Sequence, residues 1–177
     1  KTEDDPLEGD PPAAFRRSVD ALHTLESAVT GYREGVVLRY GLFYGPGTAY
    51  AANGFWAEQV RKRRFPVVGD GAGMASFIHV DDAASATVAS LDGPAGIYNI
   101  VDDDPAPMRE WLPAYAGALG VRRPRRVPIW LARLVAGEFA VYLATEARGA
   151  SNAKAKRDLG WIPRFPSWRE GFPAALA

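Results

Sequence analysis

Apolar residues divide the chain into segments with two different rhythms, and the alternation of those rhythms predicts an α/β protein. Phe15, Val19, Leu22, Leu25, Ala28 and Val29 recur at three- and four-residue intervals with charges between them, which predicts an amphipathic helix over 13–30. The β-branched and aromatic run between Gly35 and Gly45 is too short for a core helix and predicts a buried strand. Pro46-Gly47 breaks the chain, and a second helix is expected over 50–64, its end marked by Arg61, Lys62, Arg63 and Arg64. Short strands at 66–68 and 77–80 flank the glycine-rich stretch 69–73, a pattern that predicts a hairpin turn. Asp81 or Asp82 is a natural cap for a helix running to about Leu91. A further strand is expected at 96–101, followed by a solvated acidic turn at Asp102, Asp103 and Asp104. Pro107 opens a helix ending near Gly120, with Trp111, Leu112, Tyr115 and Leu119 on one face. Pro128 opens an apolar helix over 129–145, rich enough in hydrophobic residues to be buried or to wall a pocket. Ser151 or Asn152 caps a last helix, which Gly160 stops, and an aromatic, proline-rich tail from Trp161 onward is expected to wrap back across the body.

Composition narrows the function classes. The 177 residues hold 21 basic and 21 acidic side chains, so the net charge is zero and the basic excess of a general nucleic-acid binder is missing. No apolar run reaches the roughly 20 residues needed to cross a bilayer, and no signal-peptide pattern opens the sequence. A cytoplasmic protein with a small-molecule substrate, no nucleic-acid or membrane partner and room for a homodimer is the expectation. The absence of cysteine excludes disulfides, thiolate metal sites and thiol nucleophiles, and two histidines, His23 and His79, leave little for a metal centre. No metal is expected. The stretch 1–12 is acidic and broken by prolines, which predicts a loop.

Few segments carry chemistry of their own. The glycines at 69, 71 and 73 are followed by a strand and not by a helix, so they lack the context of a dinucleotide or phosphate loop. His79 stands just before Asp81 and Asp82 where a strand feeds a helix, a placement that suits either a site or a capped helix. No local serine, histidine and acid signature supports a hydrolase. The acidic triplet lacks the glycine and terminal glutamate of a calcium loop.

Taken in order, the helix at 13–30, the segment Val37-Leu38-Arg39-Tyr40-Gly41-Leu42-Phe43-Tyr44-Gly45-Pro46-Gly47, then Gly69-Asp70-Gly71, Phe77-Ile78-His79-Val80-Asp81-Asp82, Gly96-Ile97-Tyr98-Asn99-Ile100, the stretch from Asn152 to Pro163 and Trp168-Arg169-Glu170-Gly171 resemble the carboxyl-terminal half of an extended short-chain dehydrogenase/reductase of the NAD-dependent epimerase/dehydratase family. The resemblance covers essentially the whole chain. It implies a partial Rossmann-like α/β fold, with the last helix and strand of the parallel sheet in 1–48 and a small α/β substrate-binding lobe in 49–177. The amino-terminal nucleotide-binding sheet is expected to be absent from this chain, because no strand, glycine loop and helix for a dinucleotide occur in it. A family member of this type needs about 300 residues and two lobes.

The resemblance also implies roles for residues. NAD or NADP would be the cofactor of the intact protein, with Arg39, Tyr40, Gly41 and Tyr44 beside it, and Phe43, Phe77, His79, Arg148 and Asn152 would meet the substrate. The family's catalytic pair is a tyrosine and a lysine four residues later, on the helix matching 13–30. Here one register pairs Phe15 with Val19 and the other pairs Ser18 with Leu22, so the catalytic residues are unassigned. The arginine that commonly meets a nucleotide-sugar diphosphate ahead of the Phe-Ile strand is replaced by Met74, Ala75 and Ser76. The implied function is the substrate-binding part of an atypical NAD(P)-dependent oxidoreductase or epimerase acting on a small carbonyl or alcohol compound that is not a nucleotide sugar. Two alternatives stay open: a binding or sensor protein that keeps the fold without turnover, and a truncated enzyme working without a cofactor.

Overall fold

A computed structural model describes residues 1–7 and 12–176; part of the expected amino-terminal loop, 8–11, lies outside the described residues. After a 3-10 turn at Ala13–Phe15 the chain runs through α1 (Arg16–Thr30), β1 (Val36–Tyr40), β2 (Leu42–Tyr44), α2 (Phe55–Arg61), β3 (Val67–Val68), β4 (Met74–Ala75), β5 (Phe77–His79), α3 (Val80–Ser90), β6 (Gly96–Ile100), β7 (Ala106–Pro107), α4 (Met108–Ala118), β8 (Arg126–Val127), α5 (Ile129–Thr145), α6 (Ala153–Leu159) and α7 (Trp168–Leu176). Helix and strand alternate, and three of the four strand pairs are parallel: β1 with β6, β2 with β5 and β3 with β8, while β4 and β7 run antiparallel. Parallel pairs need crossovers, and the helices supply them.

Two hydrophobic cores form. One packs Ile78, Ala83, Ala86, Tyr98, Ile100, Ala155 and Trp161 where α3 and α6 lie against β1 and β6. The other gathers Tyr44, Tyr50, Phe77, Trp111, Tyr115, Trp168 and Phe172 around β2, β5, α4 and α7. Phe77 is fully buried at its centre, with ring centroids 5.1 Å from Phe172, 5.2 Å from Trp111 and 5.7 Å from Tyr50. Such edge-to-face packing adds to the area each ring buries.

The glycine-rich stretch does not make a hairpin, because β3 and β4 pair with β8 and β7 and not with each other. Its glycines serve other backbones. The Gly71 and Gly73 carbonyls accept the Arg109 and Met108 amides at the start of α4, groups that have no partner within the helix. The Gly73 amide donates in turn to the Ala144 carbonyl near the end of α5. Positive φ angles at Gly69 and Gly71, 58° and 64°, make the turn possible.

Other expectations shift in detail. The second helix covers only Phe55–Arg61, since the segment before Gly54 runs in turns. The cap of α3 is neither aspartate: His79 holds the capping position, and its Nδ1 accepts the Asp81 amide at 3.2 Å. Along α1 only Val19 and Glu26 are buried, and Leu25 of the expected apolar face is 54% exposed. α5 breaks at Gly137, where φ is 82°, so its first half leaves Trp130, Leu134 and Val135 in solvent while its second half packs inward.

The largest departure is the acidic turn. Asp102 is buried, and its carboxylate accepts the Trp168 amide at 2.9 Å and the Asp104 amide at 3.2 Å. Asp104 accepts the Ser167 hydroxyl at 2.7 Å, and Asp103 pairs with Lys156 at 2.8 Å. Asp82, also buried, accepts the amides of Arg164 and Phe165 at 2.8 and 2.9 Å. These carboxylates satisfy the backbone of the tail, which lets its aromatic residues enter the core and continue as a helix.

Burial raises the Asp102 carboxyl to about 7, against the opposing pull of the two amides it accepts. In the unfolded chain it titrates near about 3.9. The folded state therefore holds a proton that the unfolded state has lost, and the stability gained is full below about pH 4 and gone once the pH has risen through about 7. Urea unfolding from pH 4 to 8 should show Asp102→Asn gaining stability relative to the parent as pH rises. Trp168→Ala, which empties the centre of the second core, should cost about 3–5 kcal/mol in the same measurement.

Candidate functional site

The site starts at Gly41, where the chain leaves one parallel pair and enters the next. The Gly41 amide donates to the Ile100 carbonyl at 3.0 Å and the Leu42 amide to the Ser76 carbonyl at 2.8 Å. A Cβ on Gly41 would stand 2.7 Å from the Ser76 carbonyl oxygen, so only glycine permits this approach. The bend turns Tyr40, Gly41 and Leu42 toward a cleft of about 460 Å³ at the carboxyl end of β1. Ligands of open α/β sheets bind beyond the carboxyl ends of the strands.

The cleft is built from both sides of the fold. Tyr50, Trp56 and Phe65 form one aromatic wall with Trp111, their rings spaced 4.7 to 6.2 Å apart along the series. Met74 to Ser76 make the floor, and Leu143 and Ala144 of α5 close the opposite side. The Tyr115 hydroxyl donates to the Tyr50 carbonyl at 3.0 Å and holds that wall in place. Burial pushes the Tyr50 phenol well above its ordinary value and that of Tyr115 to about 12, so neither acts as a base near neutral pH.

Polar groups are few. The Ser76 hydroxyl oxygen accepts the Ala150 amide at 2.9 Å, which leaves its own proton free to donate. Arg148 lies at the edge and is the only charged side chain among the described residues lining the cleft. No carboxylate, imidazole or lysine amine joins it there. Nor do the described residues contain a group of three or more metal-ligating side chains, or a helix long and apolar enough to cross a membrane.

The residues named from sequence fall into two sets. Tyr40, Gly41 and Arg148 line the cleft. Phe43 is partly exposed beside Tyr40, with ring centroids 5.3 Å apart. Arg39 is held elsewhere, in a bidentate pair with Glu26 of α1 at 2.6 and 2.7 Å. Tyr44 and Phe77 are fully buried, behind the cleft wall. His79 caps α3 and stacks on Phe165 at 4.4 Å. Asn152 donates to the Val101 carbonyl and to Asp103, which fixes the start of α6. The aromatic wall went unnamed, since Tyr50, Trp56, Phe65 and Trp111 share no spacing, and aromatic density across 50–65 is the one signal that marks it.

The comparisons with known proteins agree with this architecture. Residues 15–100 match the model of the NAD dependent epimerase/dehydratase family. A curated protein of a Streptomyces species, described as a 3-diazoavenalumate denitrifying reductase, is 45% identical over 172 residues, which is 96% of this chain and 57% of that protein. Over residues 15–100, a little under half of the chain, the protein is thus similar to the NAD-dependent epimerase/dehydratase family. It spans a little over half the length of the relatives it matches. The fold is shared with a human epimerase family protein solved with NADPH, at a TM-score of 0.78 and 21% identity, covering 99% of this chain and 58% of that one. It is shared too with a dTDP-glucose 4,6-dehydratase from Streptomyces venezuelae solved with NAD, at a TM-score of 0.67 and 23% identity, covering 99% and 52% of the two chains.

The cleft depends on the contact between Gly73 and α5. A Cβ on Gly73 would meet the Leu143 carbonyl oxygen at 2.3 Å, so Gly73→Ala must push the α5 wall outward. An expected loss of about 1–3 kcal/mol is measurable by urea unfolding.

Proposed function

We propose that the protein bearing this chain is an NAD(P)H-dependent reductase whose substrate, small and not a nucleotide sugar, accepts a hydride without a proton from the protein. The observation that carries this reading is the make-up of the cleft: no carboxylate, imidazole or lysine amine stands among its described lining residues, and of its two phenols Tyr40 is hydrogen-bonded to Thr87 while burial makes Tyr50 a weaker acid than an ordinary tyrosine. The helix matching the family's tyrosine and lysine agrees with it, since Phe15 and Val19 in one register, or Ser18 and Leu22 in the other, offer neither a phenol nor an amine. A family member that reduces a carbonyl needs an acid at the substrate oxygen. This chain fits an acceptor that needs none.

A diazo compound is such an acceptor, and the Streptomyces relative is described as a denitrifying reductase of one. When hydride is delivered to a carbon bearing a diazonium group, a carbon–hydrogen bond forms, the carbon–nitrogen bond breaks, and its electron pair leaves with dinitrogen. Charge and atoms balance without a proton.

The chain's residues fit a nicotinamide at the cleft. Tyr40, Gly41 and Leu42, gathered at the carboxyl end of β1, would hold it against the cleft mouth. Bound there, it would supply the hydride. Trp56, Phe65 and Trp111 would enclose a flat substrate and exclude water, which protects a reactive acceptor from hydrolysis.

The full-length protein should bind NADH or NADPH and consume it with an arenediazonium salt. With nucleotide deuterated at the transferred position, one deuterium should appear in the arene and dinitrogen should be released. Reduction of the matching aromatic aldehyde but not of the diazonium salt would restore the carbonyl-reductase reading. Binding of nucleotide with no turnover of either would favour the sensor, and failure to bind either nucleotide would remove the proposal.

A further inference from the structure

The cleft has one charged side chain among its described lining residues, in walls that are otherwise uncharged, and the backbone is held on both sides of that residue. The Met74 amide donates to the Ala147 carbonyl at 2.8 Å, and the Ala150 amide donates to the Ser76 hydroxyl at 2.9 Å. Arg148 stands between these two clamps, each made to the cleft floor. Gly149 beside it is pressed against Pro105, where a Cβ would approach to 2.6 Å. The residue is exposed, and its guanidinium makes no ion pair or hydrogen bond among the described residues. A charge-bearing fork held at the rim of an aromatic pocket, with no anion of its own, is complementary to a ligand with a flat ring at one end and a carboxylate at the other.

We propose that Arg148 receives the carboxylate of an aromatic acid whose ring lies against the wall formed by Trp56, Phe65 and Trp111, and that this pairing sets the substrate class of the cleft. The inference rests on reading the cleft as the substrate site of the reductase and adds the anionic end of the substrate to it. The volume of about 460 Å³ suits one ring with a short side chain. A single guanidinium serves one carboxylate, whereas the diphosphate of a nucleotide sugar carries two negative charges, one more than the described lining residues can balance.

The test uses the full-length protein without nucleotide, so its outcome is separate from that of the reductase reading. Titration calorimetry with trans-cinnamate should show binding, and methyl trans-cinnamate, which keeps the ring and loses the charge, should bind about tenfold or more weakly. Arg148→Gln should reduce cinnamate affinity to that of the ester and leave the ester unchanged, which also shows that the variant is folded with its cleft intact. Arg148→Lys should fall between the two, since a point charge replaces a bidentate fork. Equal affinity for acid and ester, no change in Arg148→Gln, or no binding of cinnamate would each overturn the proposal.

Discussion

Much of the molecule depends on the close passage of the chain at Gly41 under the Ser76 carbonyl. β1 belongs to one parallel pair and β2 to another, and between them there is a single residue. The two ladders stay in register across that residue because its amide reaches Ile100 while the next amide reaches Ser76. Asp102 continues the arrangement by donating its amide to the Phe77 carbonyl at 2.7 Å. The two cores are therefore joined through backbone hydrogen bonds, and the aromatic wall faces the end of β1 at a fixed separation.

Buried carboxylates then decide where the carboxyl-terminal tail goes. Asp82 and Asp102 lie on different elements, yet each accepts amides from the segment 164–168. An aspartate taken out of water costs free energy unless such donors meet it, and the tail supplies them at the two points where it turns. Trp168 enters the core between those contacts, and Phe172 follows one helical turn later against Phe77. The Tyr44 ring presses on the same place: a Cβ on Gly171 would lie 1.9 Å from its hydroxyl oxygen. That hydroxyl is buried without a hydrogen-bond partner among the described residues, and close aromatic packing is what the position gains in exchange.

The fold was legible where local chemistry decides structure. The strand at Val36–Tyr40 is β-branched and bounded by glycines, and the helices after Pro107 and Pro128 and before Gly160 begin and end where proline and glycine require. Strand partners were not legible, because a two-residue strand such as Val67–Val68 carries no pattern that points to Arg126–Val127. The burial of Asp102 was hidden for a related reason. Three consecutive acids look solvated until the amide of Trp168, 66 residues away, is brought to one of them. Of the site, the segment at Tyr40–Gly41 and the cation at Arg148 could be named from resemblance and position. The aromatic wall is assembled from separate loops and helices and exists only after folding.

The break at Gly137 divides α5 into two pieces with different exposure to selection. Beyond it, Ala140, Leu143 and Ala144 line the cleft, so any change there alters what the cleft can hold. Before it, Trp130, Leu134 and Val135 face solvent and touch nothing in the cleft. A reversed φ at one glycine uncouples the two faces, because a rotation or substitution in the outer half is not transmitted along a continuous helix. Substitutions at Trp130, Leu134 and Val135 therefore leave the cleft lining untouched, whereas Ala132, on the buried side of the same half, still packs in the core.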